Sequence, residues 1–179
     1  MGTVEVPESA YWGAQTQRAL EHFAIGDERL PPAFVRAYAL VKQAAAEANG
    51  ALGEISAERA AWIASAAREV IEGTFDAHFP LRVWQTGSGT QTNMNLNEVI
   101  ANRANELAGG ARGNKEPVHP NDHVNRGQST NDTFPTALHV SAAIRLRESL
   151  SPALEAVLET LDGKADAYRG VVKVGRTHL

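Results

Sequence analysis

Gly127-Gln128-Ser129-Thr130-Asn131-Asp132-Thr133-Phe134-Pro135 is the stretch on which the reading of this chain turns. Hydroxyl and amide side chains stand in a row there, immediately ahead of an apolar-periodic segment. Proline has no N–H to give, so it is tolerated in the first turn of a helix. The stretch therefore predicts a helix that begins near Asn131 or Asp132, with Pro135 inside its first turn. Ser129, Thr130 and Asn131 then crowd the N-terminus, where unsatisfied N–H groups and the positive end of the dipole favour an anion. Taken alone, an elaborate N-cap is the simpler account.

Working outward, residues 132–150 carry Phe134, Leu138, Ala142, Leu146 and Leu150 at i,i+4. A second row, Ala137, Val140 and Ile144, widens the stripe enough to be covered by more than one neighbour. Ser151-Pro152 reads as a cap and an N1 proline, so a new helix is expected there. Leu154, Leu158, Leu161, Ala165 and Tyr168 then repeat as a bundle seam as far as Gly170. Val171 to Val174 is expected to be extended. Upstream, helical spacing predicts helices over 33–49, 57–72 and 91–107, with Ser56 and Gly73 punctuating the second. Residues 1–10 read as an extended arm, Trp12 to Arg18 as a packed polar loop and Leu81 to Trp84 as a short extended piece. Residues 110–128 form a long loop of a kind that is usually functional. The fold class is all-α. An N-terminal helical domain is expected over 1–128, and an incomplete helical bundle over 129–179.

Composition bounds the function. The 179 residues are 43% hydrophobic and carry a net charge of −4, so a core is possible and nonspecific nucleic-acid binding is disfavoured. Without cysteine there are no disulfides or thiolate metal sites. No apolar run approaches the ~18 residues of a membrane span. Met1 to Pro7 lacks the pattern of a secretory signal. A cytoplasmic protein with no membrane or nucleic-acid partner is expected.

Three further polar clusters raise the functional reading of the first. Thr86-Gly87-Ser88-Gly89-Thr90-Gln91-Thr92-Asn93 precedes the 91–107 helix, and reads equally as a tight turn or an anion site. His119-Pro120-Asn121-Asp122-His123-Val124-Asn125-Arg126 is rich in donors and lies in the long loop. His119 and His123 lack the further ligands of a metal set, so a hydrogen-bonded loop or a second anion site is preferred. Gly175-Arg176-Thr177-His178 follows the apolar 171–174 segment and offers a histidine able to act near neutral pH.

In order and spacing, Ser88 to Asn95, His119 to Asp122, Gln128 to Asp132 and Gly175 to His178 resemble class II fumarate hydratase, of the fumarase/aspartase superfamily. Trp12 to Arg18 is similar to its N-terminal segment, so the resemblance covers essentially the whole chain. Aspartase usually has Gln where His178 stands and lacks the Gly-Ser-Gly-Thr-Gln loop. The resemblance implies reversible hydration of fumarate to L-malate through an aci-carboxylate intermediate, with no metal or organic cofactor. It implies that Ser88, Thr90, Ser129, Thr130, Asn131 and Thr177 bind substrate carboxylates. Thr177 and His178 would be catalytic, with His178 ordering the water. His119, Asn121, Asp122 and Asn125 would form a second dicarboxylate site, although Glu116-Pro117-Val118 stand where a basic residue is often found. Family members continue well beyond the length seen here and assemble as homotetramers. The expectation is thus an N-terminal fragment, inactive alone and self-associating through the apolar faces of its last helices. Two alternatives are an amine lyase such as aspartase and a non-catalytic helical assembly module.

Overall fold

The computed structural model describes residues 2–178, so Leu179, the expected stopping point, lies outside the described residues. Among the described residues there are six α-helices: α1 (Ala14–His22), α2 (Pro32–Ala51), α3 (Ala57–Ile71), α4 (Thr90–Leu107), α5 (Thr130–Arg145) and α6 (Ser151–Ala167). Among the described residues there is no sheet. A single bridge, Arg29 with Arg82, is all that forms around the expected extended piece. The all-α expectation is met.

Contacts divide the chain into two compact units, Met1–Ser141 and Ala142–Leu179. In the first, α2 packs on α3, α3 on α4 and α1 on α4. Phe34, Tyr38, Ile63, Val70, Leu96, Val99 and Ile100 form the centre of its core. Alanines on α2 and α3 keep that contact short. Gly50, just past the predicted end at residue 49, lies within α2, where a Cβ would be 2.6 Å from Ala60 Cβ. Close approach of the two helices, rather than a turn, explains this glycine. Ser56 caps α3 as expected, its side chain accepting from Arg59 N.

Three expectations about where helices start are corrected. Trp12 to Arg18 is no loop, since α1 starts at Ala14. The helix bearing Pro135 starts at Thr130, which places the proline in its second turn. Pro135 therefore has no N–H for the Asn131 carbonyl, the ordinary i−4 acceptor. The third correction concerns Ser151-Pro152: α6 begins there with the proline in its first turn, as expected, but Ser151 is part of the helix and no break separates it from the preceding turn. Leu150 (φ −71°, ψ −48°) and Ser151 (φ −59°, ψ −48°) both keep right-handed helical dihedrals. The five residues Leu146–Leu150 adopt π-type bonding ahead of Pro152. A wider turn gives the proline ring room where an α-helical carbonyl would clash.

The second unit contains no buried side chain in α6. Leu154, Val157, Leu158 and Leu161 are each 55–59% exposed, so the seam read from the sequence lies open along this helix. Residues 171–174 are exposed and form no regular structure.

The long loop 110–128 is less structureless than expected. It holds one π turn, Pro120–Val124, and is tied to α4 by side chains. Asn105 Nδ2 donates to Val118 O at 3.0 Å, and Val118 N donates back to Asn105 Oδ1 at 2.7 Å. Asn102 Oδ1 accepts from Gly113 N, while its Nδ2 donates to Tyr11 O. Asn95 similarly donates to His78 O. These asparagines make α4 a ladder on which main chain from three loops is hung.

Candidate active site

The N-terminus of α4 and that of α5 are brought together through Asn93. Gly89 precedes α4 at φ +72°, the left-handed region, and a Cβ there would fall 2.2 Å from the Phe134 ring. Only glycine satisfies both demands, so the 88–90 turn packs directly on the start of α5. Ser88 and Thr90 are exposed, with their hydroxyl oxygens 2.9 Å apart. Across the cluster, Asn93 Nδ2 donates to Thr130 Oγ1 at 2.9 Å and to Asn125 Oδ1 at 3.0 Å. Asn93 Oδ1 accepts from the Tyr38 hydroxyl at 2.9 Å.

Ser129 acts partly as the cap that the sequence suggested. Its Oγ accepts from Asn131 N, and its carbonyl accepts from Asp132 N and Thr133 N. Ser129 and Asn131 remain exposed, and Thr130 is half-buried. Hydroxyl and amide groups thus stand at two helix starts that are joined by the Asn93–Thr130 bond, and groups of this kind are donors suited to carboxylates.

Beneath this surface lies a residue that the sequence reading passed over. Lys42, on α2, is fully buried. Its Nζ donates to Asn125 Oδ1 and to Gln128 Oε1, each at 2.9 Å, and stands 5.4 Å from the centre of the Tyr38 ring. No carboxylate pairs with it among the described residues, and burial pushes its amine down to about 7. Tyr38 is likewise displaced: burial pushes its hydroxyl up to about 12, against a hydrogen bond with Thr133. The available signal was register, because Lys42 follows Tyr38 by four residues on the core face of α2.

The second cluster is local. His119 Nδ1 accepts from Asn121 N and Asp122 N, and His119 N donates to His123 Nδ1 at 2.8 Å. Two backbone N–H groups aim at His119 Nδ1, and the Asp122 carboxylate stands 3.3 Å from the same atom. Burial, then Arg59, holds the His123 imidazole below its ordinary value. A recess of about 380 Å³ is lined by Asn121, Asp122, Asn125, Arg126, Gly127 and Gln128. Arg126 supplies a basic group that the sequence reading sought before His119, although it also pairs with Glu54 at 2.8 Å. The structure joins Asn125 to the first cluster, since its amide is engaged by Lys42, Asn93 and Gln128 O. Thr177 and His178 belong to the second unit and are exposed.

Glu98 is another residue missed from sequence. Its carboxylate is buried and accepts from Gly13 N, Gln15 N, Thr16 N and Thr16 Oγ1 at 2.6–3.0 Å. It thereby caps α1 from more than eighty residues away.

The family described as Lyase matches this chain over residues 2–179. Similar proteins include a class II fumarate hydratase of Thermosynechococcus vestitus and class II fumarate hydratase 1 of Pseudomonas aeruginosa. Each is 60% identical over 179 residues, all of this chain, which spans 38% and 39% of their lengths. Among solved structures, the class II fumarase of Schistosoma mansoni superposes with a TM-score of 0.94 at 46% identity. That match covers 98% of this chain and 37% of the other. A fumarate lyase:delta crystallin from Brucella melitensis gives 0.92 at 42% identity, over 97% of this chain and 39% of its own. The chain spans about two-fifths of the relatives it matches, along its own entire length, and it belongs to the Lyase family.

Proposed function

We propose that this chain supplies part of the active site of a fumarate hydratase, a carbon–oxygen lyase interconverting fumarate and L-malate as in the tricarboxylic acid cycle. The carrying observation is the Asn93 bridge, which sets the Ser88–Thr90 turn against the Ser129–Asn131 start of α5. A dicarboxylate offers anionic oxygens, and the hydroxyl and amide groups of such a surface offer donors to them. When C3 loses its proton, the adjoining carboxylate gains charge as an aci-carboxylate. Donors already fixed in place stabilise that charge without reorganising. Ser88, Thr90, Ser129, Thr130, Asn131 and Thr177 are assigned to carboxylate binding. Thr177 and His178 are assigned to the reacting end, with His178 ordering the water. His119, Asn121, Asp122 and Asn125 are assigned to a second dicarboxylate site beside the Arg126 recess. The family resemblance of these motifs supports the assignments.

The reading extends to assembly. Copies associate through the open leucine face of α6, as a homotetramer at full natural length, in the cytoplasm. No helix among the described residues is long and apolar enough to cross a membrane. The bundle is assigned to residues 129–179, and the polar loops to the domain before it.

The test is turnover by the protein at its full natural length, with L-malate and L-aspartate offered separately. Fumarate formed from malate alone supports the reading. Fumarate formed with ammonia from aspartate would make the protein an ammonia lyase instead.

A further inference from the structure

We infer that Lys42 is a positioning residue for the carboxylate-binding cluster: through Asn125 and Asn93 it fixes the direction in which the Thr130 hydroxyl donates. This rests on the reading of Ser129, Thr130 and Asn131 as carboxylate ligands. It adds a residue that no motif contains.

An amide side chain can present either its oxygen or its NH2, and a hydroxyl can donate or accept, so a network of these groups alone has no set direction. The lysine amine at its base gives hydrogens to both of its neighbours. Asn125 and Gln128 therefore turn their oxygens toward Nζ, at 2.9 Å each. With its oxygen inward, Asn125 sends Nδ2 to Gln128 O at 3.1 Å. Gln128 sends Nε2 to Val124 O at 2.9 Å, which holds the segment just ahead of Ser129.

The Asn125 oxygen can only accept, so Asn93 must meet it with Nδ2, and the same NH2 group reaches Thr130 Oγ1 at 2.9 Å. The Tyr38 hydroxyl donates to Asn93 Oδ1 and locks that orientation from the other side. Thr130 Oγ1 is thereby occupied as an acceptor. Among the described residues nothing takes its proton, which is left for an anion at the α5 N-terminus. Lys42 touches no proposed substrate ligand other than Asn125, yet each amide between it and Thr130 is turned by its donation.

The experiment is steady-state hydration of fumarate by the protein at full natural length, as wild type, Lys42→Met, Thr130→Val and the double variant. Methionine fills the buried slot without donating. In the wild-type background, Lys42→Met is expected to raise KM for fumarate roughly tenfold with kcat changed much less, the mark of lost binding common to ground and transition states. In the Thr130→Val background the same substitution is expected to add less than about threefold, because the hydroxyl it acts through is gone. Equal effects in both backgrounds, or an unchanged KM, would overturn the inference and leave Lys42 a purely structural residue. Should Lys42→Met fail to fold, Lys42→Gln takes its place in the same cycle under the same criteria, since its amide can turn either way and no longer sets the direction. Absence of wild-type turnover is a different failure: it overturns the functional reading itself.

Discussion

Glu98 and Thr16 are joined at two atoms of Thr16, which donates to Glu98 Oε2 from its backbone N at 3.0 Å and from Oγ1 at 2.6 Å. Both residues are buried, and Gly13 N reaches the same oxygen at 2.9 Å. Glu98→Gln replaces one acceptor oxygen with an NH2 that faces N–H donors. The expected loss is about 2–4 kcal/mol, seen as a lower denaturation midpoint with an unchanged slope in urea. An unaltered midpoint would mean that α1 is held by its other contacts.

Gly89→Ala brings two faults together, a left-handed φ and a methyl group inside the Phe134 ring contact. We expect destabilisation of about 2–4 kcal/mol by denaturant titration. Phe134→Ala relieves the steric part, so the double variant should lose less than the sum of the single losses.

Burial sets the sign of a pH effect at Lys42. Its folded amine titrates at about 7 against an ordinary 10.5, so between those values the unfolded chain holds a proton that the folded chain does not. Stability therefore rises as pH increases from 7, by up to about 1.4 kcal/mol per unit for this group. Tyr38 works the other way above pH 10, because its folded hydroxyl titrates at about 12 and the unfolded one at its ordinary 10.0. Melting temperature across pH 7–11 should climb and then turn over near 10, and Lys42→Met should flatten the climb.

On the exposed face of α6, paired substitutions Leu154→Gln and Leu158→Gln remove apolar surface without opening a cavity, both side chains being 58–59% exposed. Helix content by circular dichroism should stay the same, while sedimentation velocity of the full-length protein shifts toward smaller species. Unchanged sedimentation would place the association surface elsewhere.

The helices with an apolar stripe were legible in the sequence. The reading placed α2, α3 and α4 within about two residues, because periodic apolar side chains there face a common core. Helix α1 escaped because its cap is Glu98, distant in sequence, and its short span buries only Thr16 and Ala19. On α4 the buried set includes Asn93, Asn95, Asn97, Glu98, Asn102 and Asn105, so hydropathy understates how central that helix is. The polar rows at 88–90 and 129–131 were legible as candidates through composition. The Asn93 bridge and the Lys42 base beneath it were not, since both depend on tertiary hydrogen bonds between residues that single-sequence patterns treat as unrelated.

The asparagine ladder of α4 has a consequence for how this part of the molecule can vary. Asn95, Asn102 and Asn105 grip His78, Tyr11, Gly113 and Val118 by main-chain atoms, which every residue type provides, proline's missing N–H aside. The hydrogen bonds themselves do not read side chains and are strict about where along the loop they fall, while Gly113, at φ +83°, and the buried Val118 carry demands of their own. Inserting or deleting one residue between Gly113 and Val118 would therefore put the ladder out of step. Spacing is what this ladder has to keep.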